Sequence, residues 1–189
     1  MKYIVDPARP DLGGNVRHGD ICTWCPRLWR HLIDRYGVDS MLDVGCGEGH
    51  AVKYFRRQGV LAFGIDGLPQ NVHGAVTPIM LHDLTAGPFL MSEVHLVWSC
   101  EVAEHISEQF VDHYLDTLAN GRIVAMTHAV PGQDGHHHVN CQHANYWQER
   151  MRARGYAIAL DNDAMRKIAL EPFQSWNHFQ RTGLVFERS

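Results

Sequence analysis

Short apolar runs alternate with amphipathic stretches along most of the chain. Residues 41–44, 61–65, 79–81, 94–98 and 123–126 are brief, almost uniformly apolar runs of the kind that form buried strands. Between them, Ala51, Val52, Tyr54 and Phe55 recur at helical spacing as far as Gln58, with Gly59 behind. Phe110, Val111, Tyr114, Leu115 and Leu118 repeat the pattern up to an Asn120-Gly121 stop. Upstream, a start at Thr23 or Cys25 with Pro26 in the first turn predicts a helix whose apolar face is Leu28, Trp29, Leu32, Ile33 and Tyr36, ended by Gly37. Downstream, the pattern predicts a helix over 142–154, a strand near 156–160, a helical piece near 164–169 and a last strand at 184–187. Alternating β and α elements imply an α/β fold, a largely parallel sheet with helices on both faces. Residues 1–20, rich in Pro, Gly and Asp, predict an arm lying over the domain and outside its sheet, with a turn at Gly13-Gly14-Asn15.

Length and composition narrow the class. A chain of 189 residues with 45% hydrophobic content suits one domain, here read as an arm and cap helix over 1–38 and a core over 39–189. A net charge of −4 argues against a strongly basic nucleic-acid surface. No apolar run approaches the roughly 18 residues of a membrane span and no signal-peptide pattern opens the chain, so the cytosol is the expected compartment, with no membrane partner. The odd, scattered cysteines fit reduced thiols, and Cys22-x-x-Cys25 has no second pair to complete a zinc site.

The chemistry concentrates at the turn after the first core strand. Asp43-x-Gly45-x-Gly47-x-Gly49 joins strand to helix, and glycines there permit positive φ and close approach of a ligand to the backbone. A dinucleotide fingerprint spaces its glycines differently to hold a pyrophosphate. A carboxylate at the strand end repels phosphate and pairs with an ammonium. On these residues the chain resembles the class I S-adenosylmethionine-dependent methyltransferases. The resemblance, carried by residues 40–147, implies a Rossmann-like seven-stranded sheet of order 3-2-1-4-5-7-6, its last strand antiparallel. It also implies S-adenosylmethionine as cofactor. Asp43, Gly45, Cys46 and Gly47 then form the cofactor turn. Asp66 with Gly67, at the end of the next strand, is placed for the ribose, and Asp83 with Leu84 for the adenine. Ser99 and Cys100 end the fourth strand on the same rim, and Trp24 either touches the ligand or simply packs.

Methyl transfer asks chiefly for positioning, with proton removal when the acceptor is a hydroxyl. Glu101-x-x-Glu104-His105 is the strongest catalytic candidate, since a helix begun near Glu101 would set all three on one side. The segment resembles the E-x-x-E-H element of metal-dependent RNA 2′-O-methyltransferases and of ubiquinone-biosynthesis O-methyltransferases, in which a later histidine completes a metal site. On that likeness His138 is the fourth ligand to a divalent ion held by Glu101, Glu104 and His105. The alternative is a metal-free loop with His128 or His137 as general base. The expected activity is O-methylation of a small molecule or glycan. An RNA acceptor would need a basic groove, for which Arg27, Arg30, Arg150, Arg152 and Arg154 are the candidates. A scaffold that binds the cofactor without turnover is the rival of another class, and a dehydrogenase would require nicotinamide binding.

Overall fold

The computed structural model describes residues 3–189. In chain order the elements are β1 (Tyr3–Asp6), β2 (Arg9–Val16), α1 (Pro26–Tyr36), β3 (Ser40–Val44), α2 (His50–Arg57), β4 (Leu61–Asp66), α3 (Pro69–His73), β5 (Met80–Leu81) and β6 (Val94–Ser99). They continue through α4 (Val111–Leu118), β7 (Gly121–Met126), α5 (Ala144–Arg152), β8 (Tyr156–Ile158), α6 (Asn162–Ile168), α7 (His178–Thr182) and β9 (Leu184–Arg188). Seven strands form one sheet in the order β5-β4-β3-β6-β7-β9-β8, which is the expected 3-2-1-4-5-7-6 once the two arm strands are set aside. β5, β4, β3, β6 and β7 run parallel, and β9 lies antiparallel between β7 and β8.

Side chains alternate across each strand, so the sheet has two apolar faces. Met41, Leu96, Trp98 and Ala125 point to a layer built from Leu28, Trp29 and Leu32 of α1, Val52 and Phe55 of α2, Met165 of α6 and Phe179 of α7. Their neighbours Leu42, Val97 and Val124 point to the opposite layer, made by Tyr114, Leu115 and Leu118 of α4 and Trp147 and Met151 of α5. α1 begins with Pro26 in its first turn and stops at Gly37, whose φ of 62° closes the helix as the sequence implies.

Four features depart from the sequence pattern. The arm stays out of the main sheet, as expected, yet it is itself a β1–β2 hairpin, because Gly13 and Gly14 take φ near 90° and bend β2 without breaking its pairing. No helix starts at Glu101. A 3-10 turn, Ala103–His105, and a second, Glu108–Phe110, precede α4. Gly121 does not stop α4. It enters β7, where a Cβ would strike Val97, and it is Asn120 that closes the helix by donating to Thr117 O at 2.7 Å and Phe89 O at 2.7 Å.

The fourth departure is α7. Asn177 accepts from Gln180 N–H at 2.7 Å as its N-cap and donates to Ala169 O at 2.6 Å, while Phe179 stacks on Trp98 with ring centroids 5.0 Å apart. This short helix is thereby docked against the end of β6. Asn177→Ala is expected to lower stability by about 2–3 kcal/mol, from one lost cap and one stranded buried carbonyl, in urea unfolding followed by circular dichroism. A midpoint equal to that of the unmodified chain would contradict this account of α7.

Candidate active site

The carboxyl ends of β3, β4, β5, β6 and β7 open on one rim, where loops and the arm enclose a cavity of about 880 Å³. The glycine turn forms its floor. Gly45, Gly47 and Gly49 all take positive φ, at 70°, 53° and 79°. At Gly45 a Cβ would collide with Val102, so this position needs glycine twice over. The turn is held down by Gly45 N–H and Cys46 N–H, both donating to Ile65 O, and by Gly47 N–H donating to Asp66 Oδ2 at 2.8 Å. Asp43 lines the cavity from the strand below. Burial and the neighbouring Asp66 raise its carboxyl well above the ordinary range, which marks a place for a cation.

Asp66 is heavily bonded. Besides Gly47, Leu68 N–H donates to its Oδ1 at 2.9 Å, and Asn71 Nδ2 does so at 2.9 Å. Burial pushes its carboxyl up, and these bonds oppose the rise. Asn71 also exchanges side-chain amide bonds with Asn15 of β2, at 3.0 and 3.2 Å, tying the hairpin to the end of β4. The hairpin is fastened at both ends. Arg9 bridges Asp11 and Asp83, 2.9 Å from the latter, and His18 N–H donates to Glu48. Thr85 bonds and Arg9 hold the Asp83 carboxyl below its usual range despite partial burial. Leu84, Gly67, Cys46 and Trp24 line the same cavity, and Trp24 also sits edge-on against Trp29 and Tyr54, so packing and lining coexist there.

The other half is built on the loop after β6. Glu101 takes φ 58°, a left-handed conformation uncommon outside glycine, with its N–H donating to Thr127 Oγ1 at 2.7 Å. Its carboxylate accepts from Thr127 and lies 2.7 Å from His178 Nδ1. This twist turns Glu101 toward His178 while its carboxylate stays beside that of Glu104. Ligand atoms of Glu104, His105 and His138 lie within 4.8 Å of one another, and Glu101 is not among them. The three are brought together by the backbone. Val139 N–H and Asn140 N–H both donate to Glu104 O at 3.0 Å, and Asn140 Nδ2 donates to Ile106 O at 3.0 Å. The histidine loop is thus pinned to the 3-10 turn, with the His105 and His138 rings 5.2 Å apart.

The electrostatics of this cluster suit a cation. Glu104 is fully buried and neither of its oxygens has a hydrogen-bond donor. Burial and the charge of Glu101 push its carboxyl up to about 8. His105 Nδ1 is also buried without a partner, and burial with the adjacent His138 brings its imidazole down to about 4, leaving a neutral ring with a free lone pair. A divalent ion fits this donor set of one carboxylate and two imidazoles.

His178 was not foreseen. Burial disfavours its charge, but Asp20 and Glu101 on either side outweigh that and lift it to about 9. Burial likewise opposes ionisation of Glu101, and His178 more than compensates, holding that carboxylate below the usual range. The available signal was Asn177-x-x-Gln180, a capping pattern that starts a helix and puts His178 in its first position.

Three expected residues fall outside the cavity. Ser99 is fully buried, donating to Val44 O at 3.0 Å and accepting from Tyr114 OH, so it braces β6 and contacts no ligand space. His128 is buried beside Trp147 on the inner side of its loop, and His137 likewise does not line the cavity; only His136 and His138 of that run do. The arginines proposed for a groove are also dispersed. Arg27 and Arg30 belong to α1 on one face of the sheet, while Arg150 of α5 and Arg154 just after it, on the other, are paired with Glu108, Asp112 and Asp116.

Residues 42–124 match a family model described as a methyltransferase domain. No curated protein sequence matches the chain. Among solved structures it is similar to the sugar N-methyltransferase of a Streptoalloteichus species, at TM-score 0.66 and 16% identity over 91% of this chain and 89% of that one. It is also similar to magnesium protoporphyrin IX methyltransferase from Synechocystis with bound S-adenosylmethionine, at TM-score 0.60 and 18% identity over 85% and 76%. A third is the methyltransferase domain of bacterial CtHen1-C, at TM-score 0.60 and 16% identity over 86% and 97%. At such identities the likeness is one of fold.

The Asn15–Asn71 exchange joins hairpin to core, so Asn71→Ala is expected to speed amide hydrogen exchange in Arg9–Val16 several-fold while the strands of the main sheet stay protected. Unaltered exchange in that strand would show that the hairpin is held by other means.

Proposed function

We propose that this chain, a class I S-adenosylmethionine-dependent methyltransferase by its domain match and its fold, methylates a hydroxyl of a small molecule or glycan with a divalent ion at Glu104, His105 and His138. The observation that carries the proposal is Glu104, a fully buried carboxylate without a donor, set beside two imidazoles. A carboxylate in that position costs several kcal/mol unless it is protonated or meets a cation.

The cofactor takes the half of the cavity under the hairpin. Asp66 grips the ribose hydroxyls, Asp83 and the Leu84 backbone receive the adenine, and Asp43 with the turn at Gly45, Cys46 and Gly47 receives the amino acid end. Trp24 and Cys100 close the space around the methyl group. Residues 1–38 serve as arm and cap to the core at 39–189.

A sulfonium is already activated, so the residues of the acceptor half have two tasks. They hold the hydroxyl oxygen in line with the methyl carbon as the carbon–sulfur bond breaks, and they accept its proton. The ion, when bound, draws charge from that oxygen and lowers its pKa. Glu101, kept ionised by His178, is the proton acceptor. An acidified hydroxyl suits so weak a base. An RNA acceptor is disfavoured because its five candidate arginines lie on opposite faces of the sheet.

Glu104→Ala and His138→Ala are each expected to abolish transfer with S-adenosylmethionine affinity within about twofold of the unmodified chain, the cluster lying beyond the cofactor half. Full activity in exhaustively chelated protein would remove the ion from the mechanism. Asp66→Ala is expected to weaken S-adenosylmethionine binding by about 1–3 kcal/mol in calorimetry, with a melting curve confirming the fold. Unchanged affinity would reject its assignment to the ribose. Tight cofactor binding with no methylated product from any pool would instead favour a non-catalytic scaffold.

A further inference from the structure

The cavity has a one-sided ionic lining. Nine carboxylates border it, and among the described residues no lysine or arginine does. Four of the nine, Asp43, Glu48, Asp66 and Asp83, surround the cofactor half, which receives a molecule with a sulfonium and an ammonium. That leaves an excess at the acceptor end, where Asp20, Glu101, Glu104 and Asp134 face the space.

His178 offsets part of this excess. It stands between Asp20 and Glu101, 3.7 Å from the first and 2.7 Å from the second. One imidazolium against two carboxylates leaves one negative charge over. An ion held by Glu104, His105 and His138 would neutralise the Glu104 carboxylate and leave the Asp20–Glu101 excess as it is. Arg9, beside the cofactor end, is already shared by Asp11 and Asp83. A phosphate or carboxylate entering this space would meet no fixed cation except His178, which is doubly engaged. An ammonium would meet Asp20.

We infer that the acceptor is an amine-bearing hydroxyl compound, an amino alcohol or amino sugar, whose ammonium is seated by Asp20 while its hydroxyl faces the Glu104–His105–His138 cluster. This rests on the methyl-transfer assignment above and narrows its substrate. Asp20 is a specificity-determining residue. It is anchored by accepting from Cys22 N–H at 2.8 Å, so one of its oxygens is fixed by backbone and the other is turned toward His178 and the cavity. No atom of the reaction passes through Asp20. The oxygen–methyl bond forms, the sulfur–methyl bond breaks, the proton goes to Glu101, and the ammonium remains as it entered.

The test uses the full chain with its ion and S-adenosylmethionine labelled in the methyl group. A small-molecule cell extract is separated by ion exchange into cationic, neutral and anionic fractions, each offered as acceptor. Label is expected in the cationic fraction, on oxygen, with the amine intact. Label confined to the neutral or the anionic fraction would overturn the inference and leave methyl transfer standing. No label in any fraction, with cofactor binding intact, would overturn the methyl-transfer assignment itself and this inference with it. On the labelled compound, Asp20→Asn, which keeps the bond to Cys22, is expected to raise KM about tenfold, well in excess of any fall in kcat, with cofactor affinity within about twofold. An unchanged KM would show that the amine is seated elsewhere.

Discussion

The backbone carbonyl of Glu104 holds together the half of the cavity built from Glu104, His105 and His138. By accepting from Val139 and Asn140 it fastens the long loop after β7 to the 3-10 turn after β6, two segments that the sheet alone would leave side by side and unattached. The same residue then carries its carboxylate inward, where no donor meets it. One residue therefore supplies both the clamp that brings His138 to His105 and the unsatisfied carboxyl that gives the cluster a reason to bind a cation. Buried polar groups in proteins are nearly always satisfied, so this exception points to an external partner.

The opposite half depends on a chain of bonds with a different logic. Asp66 fixes Gly47 of the turn, Leu68 behind it and Asn71, and Asn71 passes the connection to Asn15 of the hairpin. The group proposed to hold the cofactor's sugar is thus linked to the hairpin that lines the cavity. The hairpin over the cavity and the floor beneath it are joined through one intervening side chain. The two halves meet where Asp20, at the end of the arm, faces Glu101 across His178.

Strain is placed accordingly. The described non-glycine residues with positive φ are His18, Glu101 and His137. The first two line the cavity, and the third lies between two residues that do. Conformations of this kind persist only where the surroundings over-determine them. At Glu101 the cause is visible: Thr127 holds both its N–H and its carboxylate, and His178 takes the second carboxylate oxygen.

The sequence by itself determined the strands, the helices between them and the floor of the site, while the strand order followed from the family resemblance that the glycine turn carries. Apolar runs of strand length, helical stripes between them and three alternate glycines are local signals, and the burial of one face specifies each of them without reference to distant residues. It also placed Asp43, Asp66 and Asp83 on one rim, because residues at strand ends share a rim in any parallel sheet. Only the tertiary structure decided which polar groups meet. Glu101, Glu104 and His105 look equivalent in the chain, yet a left-handed turn sends Glu101 to His178, seventy-seven positions away, and leaves the other two for His138. His128 and Ser99 carry the right chemistry at plausible positions but point inward, and the arginines of α1 and α5 are separated by the sheet itself. Polar partnerships are set by backbone twist and long-range docking, which periodicity does not record, whereas apolar burial leaves its period in every element.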